Sequence, residues 1–122
     1  MHAFVVEDDP DLRELASGAL ERAGWTVDVV EDGLGALGSI RHVIPHVIVL
    51  DLRMPNLDGV EVLKLLRSTE VGRQIPVVVT TGAVIDDSVR ALATAILVKP
   101  FSLEELLRVV TEVTESAVPN LA

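Results

Sequence analysis

Five short runs of mostly apolar, often β-branched residues alternate along the chain with stretches in which apolar residues recur every three or four positions. The runs that predict strands are AFVV (3–6), TVDVV (26–30), HVIVL (46–50), PVVVT (76–80) and AILV (95–98). Several of them are apolar at successive positions, which is typical of strands buried on both faces of a parallel sheet. The alternation therefore predicts a doubly wound α/β domain.

Apolar residues at helical spacing follow the first, third and fifth strands. They are Leu12, Leu15, Ala16, Ala19, Leu20 and Ala23, then Val60, Leu63 and Leu66, then Leu103, Leu106, Leu107, Val110 and Val113. Gly24 is the expected stop of the first helix. Ser102 and Glu105 form a capping-box pattern at the start of the last one.

Polar side chains that can carry chemistry directly follow the strands. Glu7 and Asp8 follow the first strand, Glu31 and Asp32 the second, Asp51 the third, Thr81 the fourth and Lys99 the fifth. In open α/β sheets, sites form beyond the carboxyl ends of the strands. We therefore expect the three acids that follow the first and third strands, with the hydroxyl and the amine, to share one edge of the sheet.

These residue types suit a cation site beside an anion-binding site. Asp8 and Asp51 supply the hard oxygen ligands that Mg²⁺ accepts, and Glu7 would reach the ion through water. An ionised Asp51 is a competent nucleophile towards phosphorus. Lys99 would neutralise phosphoryl charge, and Thr81 would donate a hydrogen bond to a phosphoryl oxygen.

Composition narrows the possible functions. The 122 residues are enough for one domain with a hydrophobic core, and the apolar runs are too short to cross a bilayer. Cysteine is absent and nothing at the start suggests export, which favours a cytoplasmic location. The net charge of −9 opposes direct binding of nucleic acid by this chain.

Four motifs in this order resemble the receiver domain of two-component response regulators: VVEDDPDLR, VIVLDLRMPNLDG, PVVVTTG and VKPF. The resemblance covers nearly the whole chain. It implies a single (βα)5 domain over residues 1–116, followed by a tail or the start of a linker over 117–122. The implied five-stranded parallel sheet has the flavodoxin-like order 2-1-3-4-5, with helices on both faces.

The resemblance also implies roles for individual residues. Asp51 would accept a phosphoryl group from the phosphohistidine of a histidine kinase or phosphotransfer protein. Asp8, Asp51 and the backbone carbonyl of Arg53 would bind Mg²⁺, with Mn²⁺ as an alternative ion and Glu7 as the outer acid. Asp9 lies outside this acid pair, and we interpret it as a helix cap.

Some positions depart from the family pattern or tune it. Receivers commonly have Tyr or Phe three residues before the lysine, where this chain has Ile96. The segment between Thr81 and Lys99 is about one turn short, so the fourth helix of the pattern is predicted to be short, with only DDSVRALA (86–93). Arg53 and Ala83 occupy the positions that tune phosphate lifetime in the family. The Lys99–Pro100 bond is expected to be cis.

The leading hypothesis is a phosphoacceptor switch that accepts phosphate and loses it slowly, and not a turnover enzyme. An alternative is a receiver-like interaction domain with impaired or absent switching. A Mg²⁺-dependent phosphatase with Asp51 as nucleophile is disfavoured because such enzymes usually have an acid where Arg53 lies. The glycine pattern GLGALG (33–38) suggests a dinucleotide site, but Glu31 and Asp32 directly before it oppose a pyrophosphate.

Expected partners are the phosphodonor protein and either a downstream protein or a covalently attached output domain. The chain would be a stand-alone regulator or part of a longer one, such as a DNA-binding regulator or hybrid kinase. We expect a monomer or a phosphorylation-dependent dimer, with no membrane association.

Overall fold

The computed structural model describes residues 1–53, 59–82, 85 and 87–117. Along the chain the elements are β1 (His2–Val6), α1 (Pro10–Arg22), β2 (Thr26–Val30), α2 (Gly33–Ser39), β3 (Val47–Asp51), α3 (Gly59–Arg67), α4 (Glu70–Gln74), β4 (Val77–Thr81), α5 (Asp87–Leu92), β5 (Ala95–Val98) and α6 (Leu103–Ala117). Each strand lies within one residue of its predicted bounds. No helix in the described part of the chain has the length and apolar character needed to span a bilayer.

The five strands form one parallel sheet in the order β2-β1-β3-β4-β5, as predicted. Val6 pairs with Leu50, and Asp51 pairs with Thr80. The residues that follow β1, β3 and β4 therefore meet at one edge of the sheet.

Two hydrophobic clusters cover the two faces of the sheet. The first joins the sheet to α2, α3 and α5 and includes Phe4, Leu50 and Val89. The second joins it to α1 and α6 and includes Leu20 and Val110. Alternate strand residues belong to opposite clusters because their side chains point to opposite faces, which explains the continuous apolar runs.

The helix between β4 and β5 is short, as predicted. The helix α5 has six residues, and the first residue of the predicted segment, Asp86, lies outside the described residues. The bounds of the tail at 117–122 stay a prediction.

Two details of the helices were not predicted. The five-residue helix α4, capped by the Thr69 hydroxyl, follows α3 directly and was missed because it is too short to show an apolar repeat. Leu15 was assigned to the apolar face of α1, yet it is 54% exposed. It lines a groove of about 460 Å³ with Leu12 and Phe101 and does not enter the core, so this assignment was wrong.

Candidate functional site

Three carboxylates meet beyond the ends of β1 and β3. One oxygen each of Glu7, Asp8 and Asp51 lies within 4.8 Å of the other two. Asp8 is exposed, whereas Glu7 and Asp51 are each only 4% exposed. The paired register of β1 and β3 places the acids side by side, as the strand-end pattern predicted.

The turn between β1 and α1 is held by its own polar groups. The Asp9 carboxylate accepts from the backbone N–H of Asp11 at 2.9 Å, which caps α1 as predicted. The Asp9 N–H donates to Glu7 Oε2 at 3.2 Å. Arg13 Nη1 donates to the backbone carbonyl of Glu7 at 3.1 Å, so α1 helps to fix the position of the buried acid.

Lys99 reaches the acids from the end of β5. Its Nζ lies 3.1 Å from Glu7 Oε1 and 3.4 Å from Asp51 Oδ2, and its side chain is 28% exposed. Burial lowers the pKa of Lys99, but the hydrogen bond that Lys99 donates to Glu7 and the charge of Asp51 outweigh this effect and raise the pKa. Lys99 is therefore a stable cation. The peptide bond between Lys99 and Pro100 is cis, as the resemblance implied.

The acids exceed the charge that Lys99 can neutralise. Burial raises the pKa of Glu7 to about 7, and the hydrogen bond with Asp51 adds to this shift. The N–H of Asp9 and the ammonium of Lys99 oppose the shift without cancelling it. Three converging oxygen donors in an acid-rich, partly buried site match the chemistry of a hard dication such as Mg²⁺.

Thr81 is the last residue of β4 and is buried. Its backbone carbonyl accepts from the N–H of Lys99 at 2.8 Å, which joins the ends of β4 and β5. Thr81 therefore belongs to the same edge of the sheet as the acid cluster.

Two of the positions that depart from the family pattern or tune it, Ile96 and Arg53, lie within the described residues. Ile96 is half-buried in β5, pairs with Val79 and packs against the cluster that includes Val89 of α5. Arg53 is exposed, and its backbone N–H donates to Asp51 Oδ1 at 3.2 Å. Ala83, predicted to tune phosphate lifetime, lies outside the described residues.

The acids after β2 do not join the cluster. The Asp32 carboxylate accepts from the N–H of Gly35 at 2.8 Å and caps α2. Glu31 is exposed and lies 4.0 Å from Arg13 Nη2. An acid capping the glycine-rich segment is the opposite of what a pyrophosphate needs, which agrees with the rejection of a dinucleotide site.

A receiver is the class of protein that this fold and acid cluster define. The family described as response regulator receiver domain matches residues 3–111, and the chain belongs to that family. The response regulator MprA of Mycobacterium avium is 41% identical over 111 residues, covering 88% of this chain and 48% of that protein. The probable transcriptional regulatory protein TcrX of Mycobacterium tuberculosis is 36% identical over 108 residues, covering 85% and 45%. The chain thus spans about half the length of these curated relatives.

Solved receivers share the fold. The chemotaxis protein CheY4 of Vibrio cholerae has a TM-score of 0.85 and 30% identity, covering 92% of this chain and 97% of that one. The receiver domain of a sensor histidine kinase from Pseudomonas aeruginosa PAO1 has a TM-score of 0.86 and 28% identity, covering 93% and 97%. That structure has a magnesium ion coordinated in its active-site cleft.

Proposed function

We propose that this receiver accepts a phosphoryl group on Asp51 from the phosphohistidine of a histidine kinase or phosphotransfer protein. The observation that carries the proposal is the placement of the buried Asp51 carboxylate between two groups of opposite kind. Lys99 Nζ is 3.4 Å from Asp51 Oδ2, and one oxygen each of Asp51, Glu7 and Asp8 lies within 4.8 Å of the other two. A nucleophile, a charge-neutralising cation and a set of metal ligands are thereby combined in one site.

The transfer is an in-line displacement at phosphorus. A carboxylate oxygen of Asp51 forms the new bond to phosphorus while the bond from phosphorus to the donor imidazole nitrogen breaks. The electron pair of that bond leaves with the imidazole, which takes up a proton. The N–H of Arg53 holds Asp51 Oδ1 at 3.2 Å and so orients the carboxylate.

Two other side chains stabilise the product. The Lys99 ammonium neutralises a phosphoryl oxygen, and its raised pKa keeps it charged throughout the physiological range. The Thr81 hydroxyl donates to another phosphoryl oxygen, which couples phosphorylation to the end of β4. Arg53 and Ala83 occupy the positions that tune phosphate lifetime in the family and would set the access of the water that hydrolyses the acyl phosphate.

Asp8, Asp51 and the backbone carbonyl of Arg53 would hold Mg²⁺ or Mn²⁺, with Glu7 bonded to the ion through water. When bound, the ion neutralises charge that develops on the phosphoryl oxygens. Glu7 also holds Lys99 at 3.1 Å, so the same acid positions the lysine.

The output of this switch would pass through a non-standard face. Ile96 takes the place of the usual aromatic residue, and α5 has only six residues. The receiver would occupy residues 1–116 of a cytoplasmic protein, with 117–122 leading into a tail or linker. Its downstream partner would be a separate protein or an attached output domain. The attached domain is considered because the related regulators are about twice as long as this chain. Phosphorylation would act on a monomer or promote a dimer.

A second candidate is a receiver-like interaction domain that does not switch. Ile96 and the short α5 favour it. Both lie in the part of the chain that would carry a structural change from Thr81 to the exposed surface, and both differ from the usual pattern.

The test is the intact mass of the protein after incubation with Mg²⁺ and acetyl phosphate. We expect one phosphoryl adduct on the wild type and on Asp11→Asn, an exposed acid outside the cluster. The adduct should be absent from Asp51→Asn and after addition of a chelator. An adduct that persists in Asp51→Asn, or failure to form one even from phosphohistidine donors, would refute the phosphoacceptor function.

A further inference from the structure

Arg67, the last residue of α3, binds two separate segments, residues 72–75 and 92–94, through all three of its guanidinium nitrogens. Nε donates to the carbonyl of Leu92 at 2.9 Å. Nη1 donates to the carbonyls of Gly72 and Ile75 at 2.6 and 2.8 Å. Nη2 lies 3.3 Å from the hydroxyl of Thr94. These contacts lie at the amino ends of β4 and β5, opposite the edge that contains Asp51.

Three of the four acceptors are carbonyls at helix ends, where backbone groups have few intrahelical partners. Gly72 and Ile75 lie at the C-terminal end of α4, and Leu92 is the last residue of α5. Terminal carbonyls need outside donors, and a cation at a helix C-terminus is electrostatically favourable. The Thr94 hydroxyl also accepts from the N–H of Val77, so the guanidinium is tied to the start of β4 as well.

The helix α5 depends on such external support. A helix of six residues is too short to be stable by itself, and Val89 is its only fully buried residue. Its C-terminal end is tied to Arg67. Its N-terminal end leads back through residues 82–86 to Thr81 at the acid cluster. The C-terminal end of α5 is therefore bound by α3, whereas its N-terminal end is joined along the chain to the strand that carries Thr81.

We propose that Arg67 is a positioning residue that fixes the C-terminal end of α5 and acts as its pivot. Occupancy of the site at Asp51 then moves the N-terminal end of α5 through Thr81, while the end at Leu92 stays in place. This inference rests on the proposed phosphoacceptor function.

The test is amide hydrogen exchange with and without beryllofluoride and Mg²⁺, where beryllofluoride stands in for the phosphoryl group. The amides of Ala93 and Thr94 report on the pivot, because they donate to Val89 and Val77 at 2.9 Å. In the wild type, beryllofluoride should change exchange at Ser88 and Val89 and leave Ala93 and Thr94 unchanged.

Substitution of Arg67 should release the C-terminal end of α5 from α3. In Arg67→Met we expect exchange at Ala93 and Thr94 to be about tenfold faster, since hydrogen bonds from a charged donor are lost. The response to beryllofluoride should then extend to both amides. Arg67→Lys keeps the charge without the planar fork and should lie in between, which also serves if Arg67→Met does not fold. Arg73→Met removes an exposed guanidinium from α4 and should behave as the wild type.

Three results would overturn the pivot. The first is that, in the wild type, beryllofluoride changes amide exchange at Ala93 and Thr94 as much as at Ser88 and Val89. In the Arg67 variants, the pattern of the response could remain that of the wild type, which would leave Arg67 a purely structural role. If beryllofluoride changed nothing near Asp51 and Thr81, the phosphoacceptor function itself would fail, and the pivot would fail with it.

Discussion

Glu7 is the side chain whose ionisation should be easiest to detect. Burial and the hydrogen bond with Asp51 raise its pKa from 4.5 to about 7 in the metal-free protein. Between these pH values the native state keeps a proton that the unfolded state releases, so Glu7 makes the free energy of unfolding fall as pH rises. In Glu7→Gln this contribution is absent. The stability of Glu7→Gln relative to the wild type should therefore increase from pH 4.5 to 7 and level off above.

The measurement is denaturant unfolding of both proteins across this pH range in the presence of a chelator. Only the pH dependence of the difference is diagnostic, because the substitution also changes the hydrogen bond to Lys99. A difference that is constant from pH 4.5 to 7 would show that Glu7 ionises normally in the folded protein.

Lys99 has opposite effects on the metal and on the phosphoryl group. Its ammonium lies 3.1–3.4 Å from two carboxylates of the acid cluster and competes electrostatically with a dication. We expect Lys99→Met to bind Mg²⁺ about tenfold more tightly and to be phosphorylated by acetyl phosphate about a hundredfold more slowly. Calorimetric titration and the time course of the intact mass measure the two effects.

The matched control is Lys64→Met, which removes an exposed lysine from α3 and should change neither quantity by much. If Lys99→Met weakened Mg²⁺ binding, the lysine would be supporting the metal site and not competing with it.

Outside the cluster at the strand ends, single-residue contacts were predictable only where the partner is close along the chain. Asp9 as a helix cap and the Ser102–Glu105 capping box follow from local spacing, and the structure confirms both. The contacts of Arg13 with the Glu7 carbonyl and of Arg67 with three helix-end carbonyls were missed. Backbone acceptors are present at every residue, so the sequence contains no signal that identifies which carbonyl a distant arginine will bind.

At the scale of elements, the start of α3 packs directly against the strand end that carries the nucleophile. A Cβ atom on Gly59 would lie 2.5 Å from the carbonyl oxygen of Asp51 and closer still to the Cα of Leu52. Gly59→Ala should lower the free energy of unfolding by about 1–3 kcal/mol. It should also slow phosphorylation, because the backbone at Asp51 must shift.

Gly38→Ala in α2 is the control, since a Cβ there meets nothing within 4 Å. It should leave stability unchanged or raise it by up to about 1 kcal/mol, as expected for Ala in place of Gly in a helix. Equal effects of the two substitutions in chemical denaturation would contradict the close approach at Gly59.

The helices were predicted less well than the strands. The apolar repeat identified α1, α3 and α6, and the short interval before Lys99 indicated the short α5. The helix α4 was missed, because five residues contain little more than one turn and its position depends on the cap at Thr69. Leu15 was misplaced because helical spacing shows which residues share a face of the helix but not how much of that face the neighbouring elements cover.

For the whole molecule, metal binding should appear as added stability. A ligand that binds only the folded state stabilises it by about 2.7 kcal/mol at a concentration of 100 times its dissociation constant. We expect Mg²⁺ to raise the unfolding midpoint of the wild type and of Asp11→Asn, and to have little effect on Asp8→Asn. The fluorescence of Trp25, half-buried beside the α1–α6 cluster, reports the transition. An equal rise in Asp8→Asn would place the ion elsewhere.

The architecture as a whole followed from the sequence because the dominant interaction is simple. Continuous apolar strands must be covered on both faces, and this requirement leads to a doubly wound sheet. The acids, Thr81 and Lys99 were predicted to share an edge because parallel strands end on the same side. The register of the strands sets the distances between these side chains. It depends on packing across the sheet and cannot be predicted from the sequence of any one segment.

The central claim is that Asp51 is the residue that carries the phosphoryl group, and the most direct test is to locate that group. The protein is phosphorylated with acetyl phosphate and Mg²⁺, the acyl phosphate is trapped by borohydride reduction, and the modified residue is identified by tandem mass spectrometry. The account predicts that the reduced residue is at position 51 alone. Modification at Asp8 or Glu7, or a stable phosphate ester on Thr81, would contradict it.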